Sequence, residues 1–431
     1  MKKNGSATEK ISINEDFNLF KVLSSRENID NPYPVYHQLR EYDPVFYMKS
    51  PTGFLSEDLW IITKYDLISS VLINKKFGRG NRFGKTKITA QNYSKLNALT
   101  QMRQHWVNFL DPPDHTRIRS FLNKALSVKM VTNLKPNIES IANYLIDKIK
   151  NGPAKDDFEL VRDFSYPLAT LTVAEMYGTP KEDRDILDKW ASQVVRTLDV
   201  VTSQFTQEDL QKIYKSAEEI KDYYRKAVEE RAVNPEKYDD FISKLLSVRD
   251  YDDKLSIEEI TSTLVLLTMD AHEAPKNLIT NGIYALLRNP DQFDKLKLNP
   301  GLIEGAVDEF LRYDSPAQFT GRRTNEDEIV GGKEIKKGIQ IICMLGAGNR
   351  DPEKFENPDT LDIERKNVIP LSFGGGIHYC AGAGLGRLEA ETGINSLLNN
   401  FPEMKLKDKE YHYHASLHSR GLESLELSLN I

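Results

Sequence analysis

Apolar residues recur every three or four positions along most of this chain, which is the spacing of one face of an α-helix. The longest such pattern begins after Ser256, runs through Leu264–Leu267 and, past an acidic interruption, resumes at Leu278 and Ile279. Read as one helix, residues 256–288 would extend about 50 Å at 1.5 Å per residue, which is enough to cross a domain. The pattern therefore predicts a mainly helical protein built around one long helix.

Shorter helices are predicted on both sides of the long one, and strands are few. Helical spacing covers Pro34–Glu41, Asp114–Ala125, Met130–Lys150, Pro167–Tyr177, Lys181–Thr197, Gln207–Arg231, Tyr238–Ser247, Pro290–Asn299, Gly301–Tyr313 and residues 388–398. Strand-like segments are Val45–Met48, Trp60–Thr63, Ile329–Val330, Ile339–Met344 and Leu425–Leu429. The expected fold class is mainly α with small β-sheets (α+β). Because no linker or break in composition divides the chain, residues 16–431 are expected to form a single domain after a polar, disordered N-terminus at residues 1–15.

Composition and charge are those of a soluble globular protein, and they narrow the range of functions. Of the 431 residues, 39% are hydrophobic and 28% are charged, and the net charge of −6 argues against nucleic acid as a partner. No stretch approaches the roughly 20 apolar residues of a membrane span, and no apolar signal core follows the basic start, so a cytoplasmic location is expected. The two cysteines, Cys343 and Cys380, provide no disulfide framework.

Cys380 lies in the glycine-rich segment Phe373–Gly382, which reads F-G-G-G-I-H-Y-C-A-G and precedes the predicted helix at 388–398. A thiolate at a helix N-terminus is stabilised by the helix dipole and by free backbone N–H groups, so the pKa of Cys380 is expected to be low. Glycines allow the backbone to approach a flat ligand closely, and Phe373 could shield the sulfur from water. These features favour an iron ligand.

Three other interpretations of this segment compete with iron binding. An isolated cysteine is most often a small buried hydrophobe, although the surrounding glycines weigh against that role here. The run Gly382-Ala383-Gly384, after a strand at Ile369–Phe373, would suit a dinucleotide-binding loop, but Arg387 stands where the third glycine is needed. A zinc site is disfavoured because the chain has only two cysteines and no C-x-x-C pair.

The pattern F-x-x-G-x-H-x-C-x-G resembles the haem-binding loop of the cytochrome P450 family. The resemblance implies a single-domain haem-thiolate monooxygenase fold in which the long helix passes over the haem. It also implies heme b as the cofactor and Cys380 as the iron ligand. Phe373, His378 and Gly382 match further haem contacts of that loop.

One more segment, with a residue that lies further along the chain, is similar to the same family. Glu309-Phe310-Leu311-Arg312 looks like the family's structural E-x-x-R helix, for which Arg350 matches the third member. The resemblance implies no chemistry for these residues and gives them the role of holding the core.

The haem propionates are expected to be paired with cationic and hydrogen-bonding side chains. Asp114–Arg119 resembles the family's propionate-binding helix, in which His115 and Arg119 are the donors and lie on one helical face. Arg322 and His378 match the other two donors. Trp106 could also reach a propionate through its N–H, although a purely packed tryptophan is an equal alternative.

The long helix departs from the family pattern at Asp270–Pro275. Glu273 retains the acid that is expected to carry protons, but Ala274 replaces the alcohol that normally helps in proton delivery. Pro275 lacks an N–H and is expected to kink the helix and open a groove. Asp270 lies one turn before Ala274, so its carboxylate could hold relay water or bind a substrate, or it could turn away to a neighbouring helix.

The resemblance further implies a pocket lined by Asp270, Ala271, Phe319, Leu417 and His418. The expected activity is oxidation of a small organic substrate with dioxygen, in a natural-product tailoring step, on a substrate that could be bound to a carrier protein. Electrons are expected from a ferredoxin or flavodoxin with its reductase, docking on the cysteine side near Arg117 and Lys124. Two alternatives remain: a peroxide-driven, coupling or desaturating oxidant, which Ala274 makes plausible, and a haem-binding sensor or carrier without turnover.

Overall fold

The predicted long helix is present and forms the centre of the fold. The computed structural model describes residues 11–14, 16–49, 58–80, 97–155, 157–198, 205–248 and 253–429. In this part of the chain one helix runs from Ile257 to Arg288 without interruption at Pro275. The Ser256 hydroxyl accepts the Glu259 N–H at 3.2 Å, and the Ser256 N–H donates to the Glu259 carboxylate at 2.8 Å. This capping box fixes the start of the helix because it satisfies N–H groups that have no partner within the helix.

Helices make up most of the described chain. They are α1 (Leu19–Leu23), α2 (Arg26–Asp30), α3 (Tyr33–Tyr42), α4 (Tyr65–Ile73), α5 (Ala98–Arg103), α6 (Asp114–Ala125), α7 (Val128–Asn133), α8 (Lys135–Asn151), α9 (Tyr166–Tyr177), α10 (Arg184–Val195), α11 (Gln207–Val233), α12 (Phe241–Ser247), α13 (Ile257–Arg288), α14 (Pro290–Leu298), α15 (Ile303–Tyr313), α16 (Leu345–Gly348) and α17 (Ala383–Asn400). The strands are β1 (Val45–Met48), β2 (Leu59–Ile62), β3 (Phe77–Gly78), β4 (Thr320–Thr324), β5 (Glu328–Val330), β6 (Lys333–Ile335), β7 (Gln340–Cys343), β8 (Lys405–Leu406) and β9 (Leu427–Ser428).

Helix α9 packs against the central helix α13 in the opposite direction. At the start of α9, the hydroxyl of Ser165 lies 2.8 Å from the hydroxyl of Thr280, which is in the second half of α13. At the end of α9, the Tyr177 hydroxyl donates to the carbonyl of Leu264 at 3.3 Å, in the first half of α13. Because the two contacts run in opposite order along the two helices, α9 and α13 are antiparallel.

Helix α17, which follows the cysteine loop, packs against α13 in the same direction. A Cβ built on Gly393 of α17 would lie 3.3 Å from Cδ1 of Ile279, and one built on Gly282 of α13 would lie 3.3 Å from Cδ1 of Ile394. Both glycines therefore let the helices approach closely, and the ascending order of the contacts makes α13 and α17 parallel. Helix α9 is consequently antiparallel to α17 as well.

A five-stranded sheet with the order β1-β2-β7-β4-β3 lies beside the helices. Strand β7 is parallel to β2 and antiparallel to β4, and its four residues are all buried. The β-branched pair Ile341 and Ile342 suits such a strand, which is covered on both faces. The register sets Arg322 of β4 opposite Ile341, and this pairing fixes the position of the Arg322 backbone.

The Glu309–Arg312 pair is buried, but the arginine that joins it is not the predicted Arg350. Glu309 and Arg312 have fully buried side chains, and their nearest contact is 2.7 Å. Arg350 instead donates to the Tyr313 carbonyl and pairs with Asp359 at 2.8 Å. The guanidinium that joins Glu309 is that of Arg365, at 3.2 Å. The prediction of Arg350 was wrong because the chain after it turns away from Glu309 and brings Arg365 back.

The predicted fold class is confirmed, and the errors concern short elements. The predicted helix at Met130–Lys150 is divided into α7 and α8, and the strand proposed for Ile369–Phe373 is a 3-10 turn at Leu371–Phe373. The sequence also did not predict strands β3, β4, β6 and β8 or helices α1, α2, α4, α5 and α16. The expected disordered N-terminus lies mostly outside the described residues.

Candidate active site

Glycines shape the loop that presents Cys380. Gly374 and Gly376 have φ values of 71° and 64°, in the left-handed region that favours glycine. A Cβ on Gly376 would lie 2.3 Å from the carbonyl oxygen of Leu72, so the loop also presses against α4. The N–H of Cys380 donates to the Phe373 carbonyl at 2.9 Å, which closes the loop. The Cys380 side chain is left accessible just before the start of α17, although protein groups surround it.

The thiol of Cys380 does not have the low pKa that was predicted from its position at a helix start. Burial among protein groups raises the pKa of Cys380, and the Asp270 carboxyl raises it further. The Gly382 N–H, Arg119 and Arg387 lower this pKa, but by less. That prediction was wrong because burial raises the pKa of the thiol by more than the helix N-terminus lowers it. A thiol that binds a metal cation is deprotonated by the metal, so the raised pKa of the free thiol does not oppose ligation.

Buried donors without partners surround the cysteine loop. Both ring nitrogens of His115, Nε2 of His378 and Nε1 of Trp106 are buried and have no hydrogen-bond partner among the described residues. The two imidazole rings lie 4.3 Å apart between centroids. Burial and nearby arginines lower the pKa of His115 to about 4 and that of His378 to about 2, so both rings are neutral N–H donors. Buried donors are almost always paired in proteins, which indicates that this cluster receives a group rich in acceptors.

Two arginines complete the donor cluster. Arg119 lies one turn after His115 on the same face of α6, and its Nε donates to Asn123 at 2.8 Å. Arg322 is 3% exposed, and its guanidinium donates to the Gly321 carbonyl at 2.9 Å. Two guanidinium groups with neutral imidazole and indole donors suit two carboxylates. The cluster therefore fits the propionates of haem, next to a cysteine that fits its iron.

Helix α13 is buried on most sides but opens at two positions one turn apart. Asp270 and Ala274 are both exposed, whereas Met269 and Pro275 beside them are buried. Although the Asp270 side chain is accessible on the helix, protein groups surround it, and this burial raises its pKa to about 7. The carboxyl can therefore gain or lose a proton near neutral pH. Ala271 on the adjacent position is half-buried.

Glu273, three residues after Asp270 on α13, is held by an ion pair. Both of its carboxylate oxygens lie 3.0 Å from Nζ of Lys276, whose side chain is 6% exposed. On the same side of α13, the Tyr166 hydroxyl donates to Asp188 of α10, and Nδ1 of His272 lies 3.8 Å from that carboxylate. Sequence patterns did not reveal this network because its members come from three separate helices.

The residues predicted to line the pocket from the C-terminal side are close together. The rings of Phe319 and His418 are 5.2 Å apart in an edge-to-face arrangement, and Phe20 packs on Phe319 at 6.0 Å. Leu417 is buried in the same apolar cluster, which includes Met344. Gln318 N–H donates to the His418 carbonyl at 2.9 Å and ties the two segments together.

The fold, the exposed cysteine and the unpaired carboxylate-binding donors define a haem-thiolate protein. The chain belongs to the cytochrome P450 family, whose family model matches residues 17–299 and 301–419. This confirms the resemblance seen in the sequence. Members of the family use haem b, and the chain is a haem-thiolate oxidoreductase with the single-domain P450 fold. Among the described residues, none of the helices combines the length and apolar character that a membrane span requires.

Several relatives belong to biosynthetic pathways. The chain is 35% identical over 407 residues to the biotin biosynthesis cytochrome P450 of Bacillus subtilis, covering 94% of this chain and 98% of the relative. It is 34% identical over 405 residues to the polyketide biosynthesis cytochrome P450 PksS of the same organism, covering 93% and 96%. The crystal structure of P450BioI in complex with an acyl carrier protein ligated to hexadec-9Z-enoic acid matches with a TM-score of 0.83 and 34% identity, covering 94% of this chain and 99% of that one.

Proposed function

We propose that this chain oxidises a small organic intermediate in a natural-product biosynthetic step, with dioxygen as the oxidant and electrons from a separate redox protein. The observation that carries the proposal is the cluster of buried donors without partners beside the exposed Cys380. Haem, when bound, supplies the oxidising chemistry. The chain then has to hold the cofactor, orient the substrate, control water and supply protons.

Cofactor binding is assigned to the loop and the donor cluster. Cys380 provides the iron ligand, and Phe373 and Gly382 line the loop around it. His115 and His378 would donate to the propionates as neutral imidazoles, and Arg119 and Arg322 would provide the compensating charge. Pairing the carboxylates removes the cost of leaving these buried donors unmatched.

Proton supply is assigned to Asp270 and Glu273 in the absence of an alcohol at Ala274. Because the pKa of Asp270 is about 7, this carboxyl can orient water both as a donor and as an acceptor near neutral pH. Glu273 is held by Lys276 in the present arrangement. In other members of the family an alcohol at the position of Ala274 helps to deliver protons. We propose that Asp270 takes this role here and that Glu273 connects the pocket to solvent.

The proposed substrate is an acyl or polyketide-type intermediate, free or attached to a carrier protein. Support comes from the biotin and polyketide relatives and from the relative crystallised with a loaded acyl carrier protein. The candidate lining is mostly apolar, with Ala271, Phe319 and Leu417, and it has Asp270 and His418 as polar groups. Such a lining suits a chain-like substrate that carries few polar functions.

The proposed redox partner is a ferredoxin or flavodoxin that docks on the outside of the cysteine loop. Ile73, Ile377 and Tyr379 are 65%, 39% and 39% exposed there, and Ile73 belongs to the helix that packs against the loop. Lys124 is exposed near the end of α6. Arg117 is an unsuitable docking residue, contrary to expectation, because it is already paired with Asp253 at 2.6 Å and with Glu259 at 2.5 Å.

One specific observation favours a second candidate, an oxidant driven by peroxide. Ala274 carries no hydroxyl, so one donor of the expected proton relay is missing from the helix. Purified holoprotein should therefore be assayed with a ferredoxin or flavodoxin and its reductase, and in parallel with hydrogen peroxide alone. Turnover only with the electron carrier supports the proposal, and turnover only with peroxide supports the second candidate.

The substrate class is tested by binding and by metabolite analysis. Hexadecenoic acid, free and attached to an acyl carrier protein, should be titrated into the holoprotein and the displacement of iron-bound water followed by absorbance. Metabolites of cells lacking this protein should be compared with those of the parent by mass spectrometry. Accumulation of an intermediate that lacks one oxidation supports a tailoring role, and an unchanged metabolite profile contradicts it.

A further inference from the structure

The N-terminal helix α1 packs a phenylalanine against a residue of the predicted pocket. The ring of Phe20 meets the ring of Phe319 edge-to-face, with 6.0 Å between their centroids. Phe319 in turn meets the ring of His418 at 5.2 Å. Phe20 is 6% exposed and belongs with Leu417 to one cluster of buried apolar side chains. The Phe319 ring therefore contacts one ring from the start of the chain and one from its end.

The backbone beside Phe319 is fixed by hydrogen bonds of its neighbour Gln318. The Gln318 N–H donates to the His418 carbonyl at 2.9 Å, and the Gly346 N–H donates to the Gln318 carbonyl at 3.0 Å. The Gln318 side chain accepts a hydrogen bond from the buried Tyr36 hydroxyl at 3.0 Å. Because the backbone is held by three separate segments, the position of the Phe319 ring depends on the side chains that flank it.

Hydrogen bonds also tie the N-terminal helices to the C-terminal segment that contributes to the predicted pocket. The Asn28 side chain, on α2, donates to the Val22 carbonyl of α1 at 2.9 Å. The guanidinium of Arg420, in the C-terminal segment, donates to the carbonyls of Ile29 and Asp30 of α2 at 2.8 and 2.9 Å. Helix α1 is therefore a fixed support for the side chains that pack on it.

We propose that Phe20 is a positioning residue that sets the length of substrate this chain accepts, because its ring holds the ring of Phe319 in the pocket wall and limits how far an apolar chain can extend toward α1. The inference rests on the proposed function, which places Phe319 on that wall. Protein interiors are close-packed, so removal of the Phe20 ring leaves a void into which Phe319 can turn. A longer apolar chain then buries more surface, and each added methylene group strengthens its binding about fourfold.

Phe17 provides the matched control for Phe20. Its side chain is also 6% exposed and belongs to the same cluster, but its ring packs edge-to-face on Phe46, with 5.6 Å between centroids. Phe20→Ala and Phe17→Ala remove the same atoms from one cluster, so both should lower resistance to urea by similar amounts. Only Phe20→Ala should change the length of ligand that the pocket accepts.

A series of N-alkylimidazoles with increasing chain length measures the pocket without knowledge of the natural substrate. In the haem-bound protein the imidazole nitrogen binds the iron and shifts the Soret band, and the alkyl chain extends from that fixed point. The Kd is measured for each ligand, and the chain length at which affinity stops rising is the limit of the pocket. In Phe20→Ala this limit should move to longer chains, with up to about fourfold gained for each added methylene group. In Phe20→Trp, whose larger ring presses on Phe319, the limit should move to shorter chains.

Three results overturn the proposal. The first is an unchanged limit in the Phe20 variants that bind haem; Phe20→Trp keeps the cluster filled and decides the question even if Phe20→Ala loses haem. The second is an equal shift in Phe17→Ala, because a general loosening of the cluster would then explain the change. The third is a wild type whose affinity rises with chain length without a limit. The proposed function is tested separately, by the binding of hexadecenoic acid and by the need for an electron carrier, so each of these results leaves it standing.

Discussion

Replacing Asp270 with asparagine tests how this chain delivers protons without an alcohol at Ala274. Asp270→Asn preserves the size of the side chain and removes the proton that the carboxyl exchanges. If Asp270 organises relay water, substrate affinity should remain within a few-fold and product formation should fall by roughly 10²–10⁴, the range that a positioned acid provides. Reducing equivalents should be diverted to peroxide.

The pH dependence follows from the raised pKa of Asp270. With a pKa of about 7, about one carboxyl in ten is ionised at pH 6 and about nine in ten at pH 8. Coupling in the wild type should therefore change across this window, and Asp270→Asn should abolish that change. Asp147→Asn, on the exposed face of α8, is the control because Asp147 has no role in the pocket.

A substrate-binding role for Asp270 predicts a different result. Loss of a hydrogen bond to a charged group, worth about 1.5–3 kcal/mol, would weaken substrate binding by roughly 10–100-fold. Adding Ala274→Thr to the asparagine variant should restore coupling only if Asp270 serves the relay. The reasoning fails if Asp270→Asn changes neither affinity nor coupling nor the pH profile, since the carboxyl would then face away from the pocket.

Three further variants test the core and the haem site. Arg312→Met leaves the buried Glu309 carboxylate short of its main partner and should cost about 3–5 kcal/mol in urea unfolding. Arg225→Met breaks solvent-accessible pairs with Glu229 and Glu258 and should cost no more than about 0.5 kcal/mol; similar losses would refute the burial argument. Arg119→Ala should speed haem transfer to apomyoglobin roughly a hundredfold, the equivalent of about 3 kcal/mol, and an unchanged rate would remove Arg119 from the site. In the apoprotein, His115 stays neutral until about pH 4, while unfolded histidine gains a proton near 6.5, so stability should fall as the pH drops below about 6.5; His115→Gln should flatten this slope.

The sequence predicted the elements whose signals are local. Helix α13 has a capping box at Ser256 and a long apolar period, and both act within the segment itself. Strand β4 escaped prediction because Thr320–Thr324 reads T-G-R-R-T, with little apolar alternation, and is held as a strand by pairing with β7 on one side and β3 on the other. Tertiary pairing overrides weak strand propensity in such cases.

At the candidate site, too, the sequence revealed residues with local signals and missed those that depend on tertiary contacts. Cys380 and His115 were found because a motif surrounds each of them. Arg365 was missed because its contact with Glu309 spans a loop of irregular structure, and the ion pair of Glu273 with Lys276 was missed because an i,i+3 pair is common on any helix. The direction of the pKa shift of Cys380 was wrong because enclosure by distant segments cannot be derived from one loop.

The haem-thiolate assignment is tested most directly by the absorbance of the reduced carbon monoxide complex. Freshly purified protein should bind one heme b, and its carbon monoxide complex should show the strongly red-shifted Soret band of thiolate ligation. Cys380→His should abolish the shift, whereas replacement of the other, buried cysteine, Cys343→Ala, should preserve it. An unshifted band in intact wild-type protein, or a shifted band that survives in Cys380→His, would contradict the assignment of Cys380 as the iron ligand.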